Sequence, residues 1–112
     1  MTSKTYSIVG MNFAKSEAIV AALKPGAELT LIREPSNPFD PLAIAVYDAE
    51  GRKLGFIPKK QNTALAQFID QVGTELPVPG LALDSSIGLQ RAVPGKFVRS
   101  PNSGYPMVEV SE

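Results

Sequence analysis

The chemistry of this 112-residue chain is densest in one run of nine residues, R-E-P-S-N-P-F-D-P, at positions 33–41. Asn37-Pro38 and Asp40-Pro41 each push the residue before proline toward extended backbone, so the run is a stiffened loop that holds Phe39 and Asp40 in place. Two uses are open to it. Structurally, Asn37 and Asp40 can accept backbone N–H bonds in Asx-turns while Phe39 folds back as a plug over the end of a core. Functionally, Phe39 can offer its face to a nucleobase and Asp40 can accept a hydrogen bond from a hydroxyl. Composition alone weighs toward the structural use, since Asp beside Pro is most often turn chemistry.

What is missing narrows the chemistry further. The chain has no cysteine and no histidine, which excludes a disulfide framework, a thiol nucleophile, the usual zinc sites and a Ser-His-Asp hydrolase. Carboxylates can still hold Mg²⁺ or work as an acid pair, but the eleven acids are scattered, without a D-x-D or E-x-x-E cluster. The expectation is therefore a binding module, not an enzyme, with no cofactor and no metal. Net charge is zero, yet Arg52, Lys53, Lys59 and Lys60 share an acid-free stretch, and Arg91, Lys96 and Arg99 share another. Folded together, these segments would give a basic face suited to a phosphate backbone; otherwise they are ordinary solvated charges.

The elements that must position these residues are mostly strands. The length is that of one domain, 1–112, and no stretch approaches the ~18 apolar residues of a membrane span. The N-terminal residues lack a signal-peptide pattern, and the expected location is cytoplasmic. Alternation and turn residues predict strands at 5–9, 28–33, 42–48 and 53–57, with weaker signals at 76–83, 87–93 and 107–110. "AIAVYDAEGRKLGFI" reads as a hairpin with Glu50-Gly51 at its tip. It turns Ile44 and Val46 to a core side, with Ala43, Ala45 and Tyr47 on an open, small-residue side. A helix is predicted in "KKQNTALAQFIDQV", its stripe formed by Leu65, Phe68, Ile69 and Val72 and its wet side by Gln61, Asn62, Gln67 and Gln71. Pro58 and Gly73 punctuate its ends. A shorter helix at 16–26 packs Ile19, Ala22 and Leu23, "VPGK" and "SPNSG" are loop signals, and Ser111-Glu112 are expected to fray. Together these describe a mainly β chain with one or two helices (α+β), rolled into a small barrel.

Longer motifs bring in a family. "GMNF" (10–13), then R-E-P-x-N-P-x-D-x-x-A-I-x-V, then G-x-x-x-G-x-I-P, closely resemble the HIRAN domain across roughly the first two-thirds of the chain, with residues 74–112 matching weakly as later strands. The resemblance implies a small OB-like or SH3-like β-barrel that captures the 3′ end of single-stranded DNA in repair or at replication forks. It implies that Phe13 and Phe39 pack against the terminal bases, that Asp40 hydrogen-bonds the terminal 3′-hydroxyl, and that Lys59, with Lys60 beside it, contacts phosphate. Asn12 stands where DNA-binding members carry an arginine. Both turn aromatics are Phe where Tyr would add a hydroxyl, and Phe56 occupies a position of polar or Tyr type that lines the site or belongs to the core. Arg52 is a further candidate for phosphate. The partners implied are a single-stranded DNA end and a helicase-like ATPase or nuclease. A different class of function, a protein-interaction module docking a peptide or such an enzyme without DNA, fits the neutral charge and the small-residue face.

Overall fold

The computed structural model describes residues 2–10, 14–79 and 88–112. Within them run β1 (Ser3–Ser7), α1 (Ala14–Ala22), β2 (Glu28–Arg33), β3 (Ile44–Asp48), β4 (Lys53–Phe56), α2 (Asn62–Val72), β5 (Thr74–Pro77), β6 (Leu89–Arg99) and β7 (Pro106–Ser111). The strands form one antiparallel sheet in the order β1-β7-β6-β2-β3-β4, with β5 pairing a different stretch of β6. Just past β1, Val9 exchanges two 2.8 Å backbone hydrogen bonds with Phe56 of β4. This bridge ties the first strand of the order to the last, so the sheet curls into a barrel-like shape and both of its outer strands gain a partner.

Period-2 patterning explains most of the packing. In β2, Leu29 and Leu31 enter the main core with Ile44 and Val46 of β3, Phe97 of β6 and Val108 and Val110 of β7. Helix α2 covers this core with Leu65, Ala66 and Ile69, each large apolar side chain contributing on the order of 1.5–3 kcal/mol by leaving water. The other side of β3 is not the open face its small residues suggest. Ala45 and Tyr47 pack there with Ile32 and Ala92, flanked by Phe56 and Val78, so every residue of β3 is buried. The curl brings β4, β6 and the segment after β5 over that face, which no local pattern reveals.

Several boundaries differ for similar reasons. Val93-Pro94-Gly95-Lys96 is the middle of β6, not a loop. Pro94 falls between Ala92, the last position paired to β5, and Lys96, the first paired to β7, where a missing N–H is tolerated. Gly95 is required by close packing: a Cβ there would lie 2.6 Å from Val108 and 2.9 Å from Leu31. Of the predicted strand at 76–83, residues 76–77 fall in β5, Val78 and Pro79 follow it outside any strand, and residues 80–83 lie outside the described residues. The C-terminus does not fray, since Glu112 exchanges backbone bonds of 3.0 and 2.7 Å with Thr2 and its side chain accepts the Tyr6 hydroxyl.

The helices rotate from their predicted stripes. In α2, Val72 is exposed and Asn62 is buried, the reverse of expectation. In α1 the buried residues among those described are Ser16 and Val20, while Ile19 and, just past the helix, Leu23 are partly buried and Ala22 is exposed. Both shifts follow from what lies beneath each helix: β2 and β6 under α2, β4 under α1.

Candidate functional site

The run 33–41 is built as a hydrogen-bonded loop whose anchors are on the strand before it and the helix after it. Buried Arg33 ends β2 and donates to the carbonyls of Pro41 (3.1 Å) and Ala43 (3.0 Å), and its Nε reaches Asp70 of α2 at 3.0 Å. Asn37 accepts the backbone N–H groups of Phe39 (2.9 Å) and Asp40 (3.1 Å) through its side-chain oxygen and donates to Glu34 at 3.0 Å. Asp40 accepts the Leu42 N–H at 2.9 Å on one oxygen and the Asn62 side-chain amide at 2.8 Å on the other. The expected Asx-turn chemistry is therefore present, yet Phe39 does not plug the core: it is 89% exposed. A large ring held in water by a loop this well bonded is an unusual use of apolar surface.

Phe39 and Asp40 open onto a groove of about 440 Å³ that is also lined by Glu34, Pro38, Lys53, Phe56 and Ile57. The Lys53 ammonium lies 4.4 Å from the centre of the Phe56 ring and 2.8 Å from Glu34. Beyond Pro38 and Lys53 a second hollow of about 330 Å³ continues over Tyr47, Val78 and Gln90. Burial raises the Tyr47 phenol above its usual range, with the Glu34 charge adding to it. Asp40 moves the other way. The Leu42 N–H and then the Asn62 amide hold its carboxyl below the usual carboxylate range, helped by the charges of Lys59 and Arg33.

Of the expected site residues, Phe39, Asp40 and Phe56 come together at this groove. Lys59 acts on Asp40 through its charge, and it and Lys60 are exposed in the turn before α2. Among the described residues neither lysine has a carboxylate within 4 Å. Arg52 does not line the groove: at the β3–β4 hairpin it binds Asp48 at 2.7 Å and Glu50 at 3.1 Å. Asn12 and Phe13 lie outside the described residues. The basic face is thinner than the charge runs suggest, because Lys53, Arg91 and Lys96 also sit 2.8–3.7 Å from acids on neighbouring strands or in the adjoining loop, and Arg99 binds the carbonyls of Val20 and Gly104.

Sequence reasoning missed three contributors. Lys53 and Glu34 belong to the groove through the pairing of β2, β3 and β4, and Asn62 through the docking of α2. Asn62 is 1% exposed, and its side-chain oxygen is buried without a hydrogen-bond partner among the described residues, a state that costs roughly 1–3 kcal/mol. The N-cap, Gln61, makes no side-chain cap, and its amide oxygen instead accepts Ser7 N–H at 2.9 Å.

The HIRAN-domain family model matches residues 2–79. The chain belongs to the HIRAN-domain family, a group of nucleic-acid-binding modules. Among solved structures it is similar to a protein from Lactobacillus plantarum, with 22% identity over 96% of this chain and 92% of that one and a TM-score of 0.67. It is also similar to the HIRAN domain of human HLTF, with 19% identity over 96% of this chain and 71% of that one and a TM-score of 0.61. No curated protein matches it. The family match ends at residue 79, whereas the structural likeness spans nearly the whole chain. Strands β6 and β7, weak in their motif resemblance, are thus part of the shared fold.

Proposed function

We propose that this HIRAN domain is a non-enzymatic module that binds single-stranded DNA at its 3′-hydroxyl end, within DNA repair or fork processing, alongside a helicase-like ATPase or nuclease. The observation that carries this reading is the pairing of an 89% exposed Phe39 with a bonded, ionised Asp40 on one rigid loop at the edge of the groove. A ring in that position gains by stacking on a base, without regard to sequence. The carboxylate has lone pairs left after its two bonds. It receives a terminal hydroxyl in a charge-assisted hydrogen bond and repels a terminal phosphate, so it supplies selectivity more than affinity. Lys59 and Lys60, without a carboxylate partner among the described residues, attract the backbone in a salt-dependent manner.

Fluorescence anisotropy with short oligonucleotides that differ only in a 3′-hydroxyl or 3′-phosphate tests this reading. Tighter binding of the hydroxyl end supports it, while equal affinity removes end recognition and no binding at low salt removes DNA. The second reading, a peptide-docking module, is favoured by one feature: a hollow of about 300 Å³ where exposed Val72 and partly buried Phe68 face residues 92–96 of β6. Partner capture that persists in Phe39→Ala and is lost in Val72→Glu would support that alternative.

A further inference from the structure

Asn62 is a buried polar side chain that is only half satisfied. It is the first residue of α2, and among the described residues its side-chain oxygen has no hydrogen-bond partner, in a position that leucine would fill without a polar atom. Buried polar groups left unpaired in a folded protein call for an explanation. The Asn62 amide nitrogen donates across 22 positions of sequence to Asp40, at 2.8 Å. The other oxygen of that carboxylate is fixed by Leu42 N–H at 2.9 Å. With each oxygen held by one donor, the carboxylate cannot rotate, and the lone pairs left over point in set directions.

We infer that Asn62 is a positioning residue of the groove: its amide fixes the Asp40 carboxylate so that the remaining lone pairs of Asp40 meet a hydroxyl donor of the ligand. This rests on the reading of the groove as a 3′-hydroxyl site. Asn62 need not touch the ligand, since its oxygen, unpaired among the described residues, is buried. The polar atom is retained because the amide nitrogen that comes with it is needed. The other charges facing Asp40 are Lys59, from the turn before α2, and Arg33, from β2; Glu34 and Lys53 share the groove. These stay in place when Asn62 is changed, so an effect at Asp40 can be assigned to the lost amide.

The test uses Asn62→Leu, close in shape, and Asn62→Asp, which puts a second carboxylate against the first. Carboxyl-detected NMR titration of the free protein reads Asp40 without DNA, and anisotropy reads the affinity ratio between 3′-hydroxyl and 3′-phosphate oligonucleotides. In Asn62→Leu the Asp40 midpoint should rise toward the ordinary carboxylate value, with the melting temperature unchanged or higher. The affinity ratio should fall about tenfold, as for one well-placed hydrogen bond to a charge. In Asn62→Asp the midpoint should rise further, because two adjacent carboxylates resist ionising together. An unmoved Asp40 midpoint in both variants, or a moved midpoint with an unchanged ratio, overturns the inference. If the wild-type chain shows no end preference, the 3′-hydroxyl reading fails by itself, and the titration alone decides whether Asn62 sets Asp40.

Discussion

Phe39→Ala separates function from stability. The ring is 89% exposed on a loop whose bonds are made by Asn37, Asp40 and Arg33 and not by the ring itself. Its removal leaves no cavity, so stability should change by no more than about 0.5 kcal/mol, a melting shift below about 3 °C for a domain of this size. If the ring stacks on a terminal base, binding should lose about 1–3 kcal/mol. That corresponds to a roughly 5- to 150-fold weaker dissociation constant. The control is Phe97→Ala: Phe97 is fully buried between β2 and β7, and its loss should cost about 3–5 kcal/mol of stability. Thermal melts and anisotropy with a labelled oligothymidine at low salt read both quantities. Unchanged DNA affinity in Phe39→Ala would rule out stacking, and a melting temperature that falls as far as in Phe97→Ala would make the ring structural.

Three further outcomes are expected. Gly73→Ala should destabilise by about 1–3 kcal/mol, because its Cβ would lie 2.5 Å from the Ile69 carbonyl oxygen and 3.1 Å from Ala92 backbone atoms; equal chemical-denaturation midpoints would contradict this. Lys59→Ala with Lys60→Ala should flatten the dependence of log affinity on log salt by about 0.7 for each phosphate that is no longer neutralised, measured by anisotropy across a salt series. The Tyr6 phenol is pushed above its usual range by burial and by its bond to Glu112, and Tyr47 by burial. The native state thus keeps protons that the unfolded chain releases near pH 10, so stability should fall as pH rises above about 10. Melts from pH 8 to 12 should show a smaller decline in Tyr6→Phe.

Local chemistry made the loop legible in the sequence: prolines and Asx residues at fixed offsets specify a stiff turn, and the Asn37 and Asp40 bonds are those the residue types imply. The β3–β4 hairpin and α2 were readable from periodicity for the same reason. What the sequence could not show depends on non-local pairing. Curling of the sheet buries Ala45 and Tyr47 on a face that looks open, and cross-strand pairing neutralises Lys53 and Lys96 with Glu34 and Glu28. Docking of α2 turns Asn62 inward and Val72 outward. Pro94 and Gly95 look like a loop by residue type, and β6 accommodates them because its ladder to β2 runs on while the partner on its other edge changes. The site followed the same division, with Phe39 and Asp40 legible from the loop and Glu34, Lys53 and Asn62 joined to it only by the fold.

Amide NMR of the labelled chain with a short single strand can show whether the groove under Phe39 takes a 3′-hydroxyl DNA end. Titration with a thymidine dinucleotide ending in a 3′-hydroxyl should shift Phe39, Asp40, Leu42, Phe56 and Lys59, with smaller shifts at equal concentration of the 3′-phosphate form. Shifts confined to Phe68, Val72 and residues 92–96 of β6, or no difference between the two ends, would contradict it.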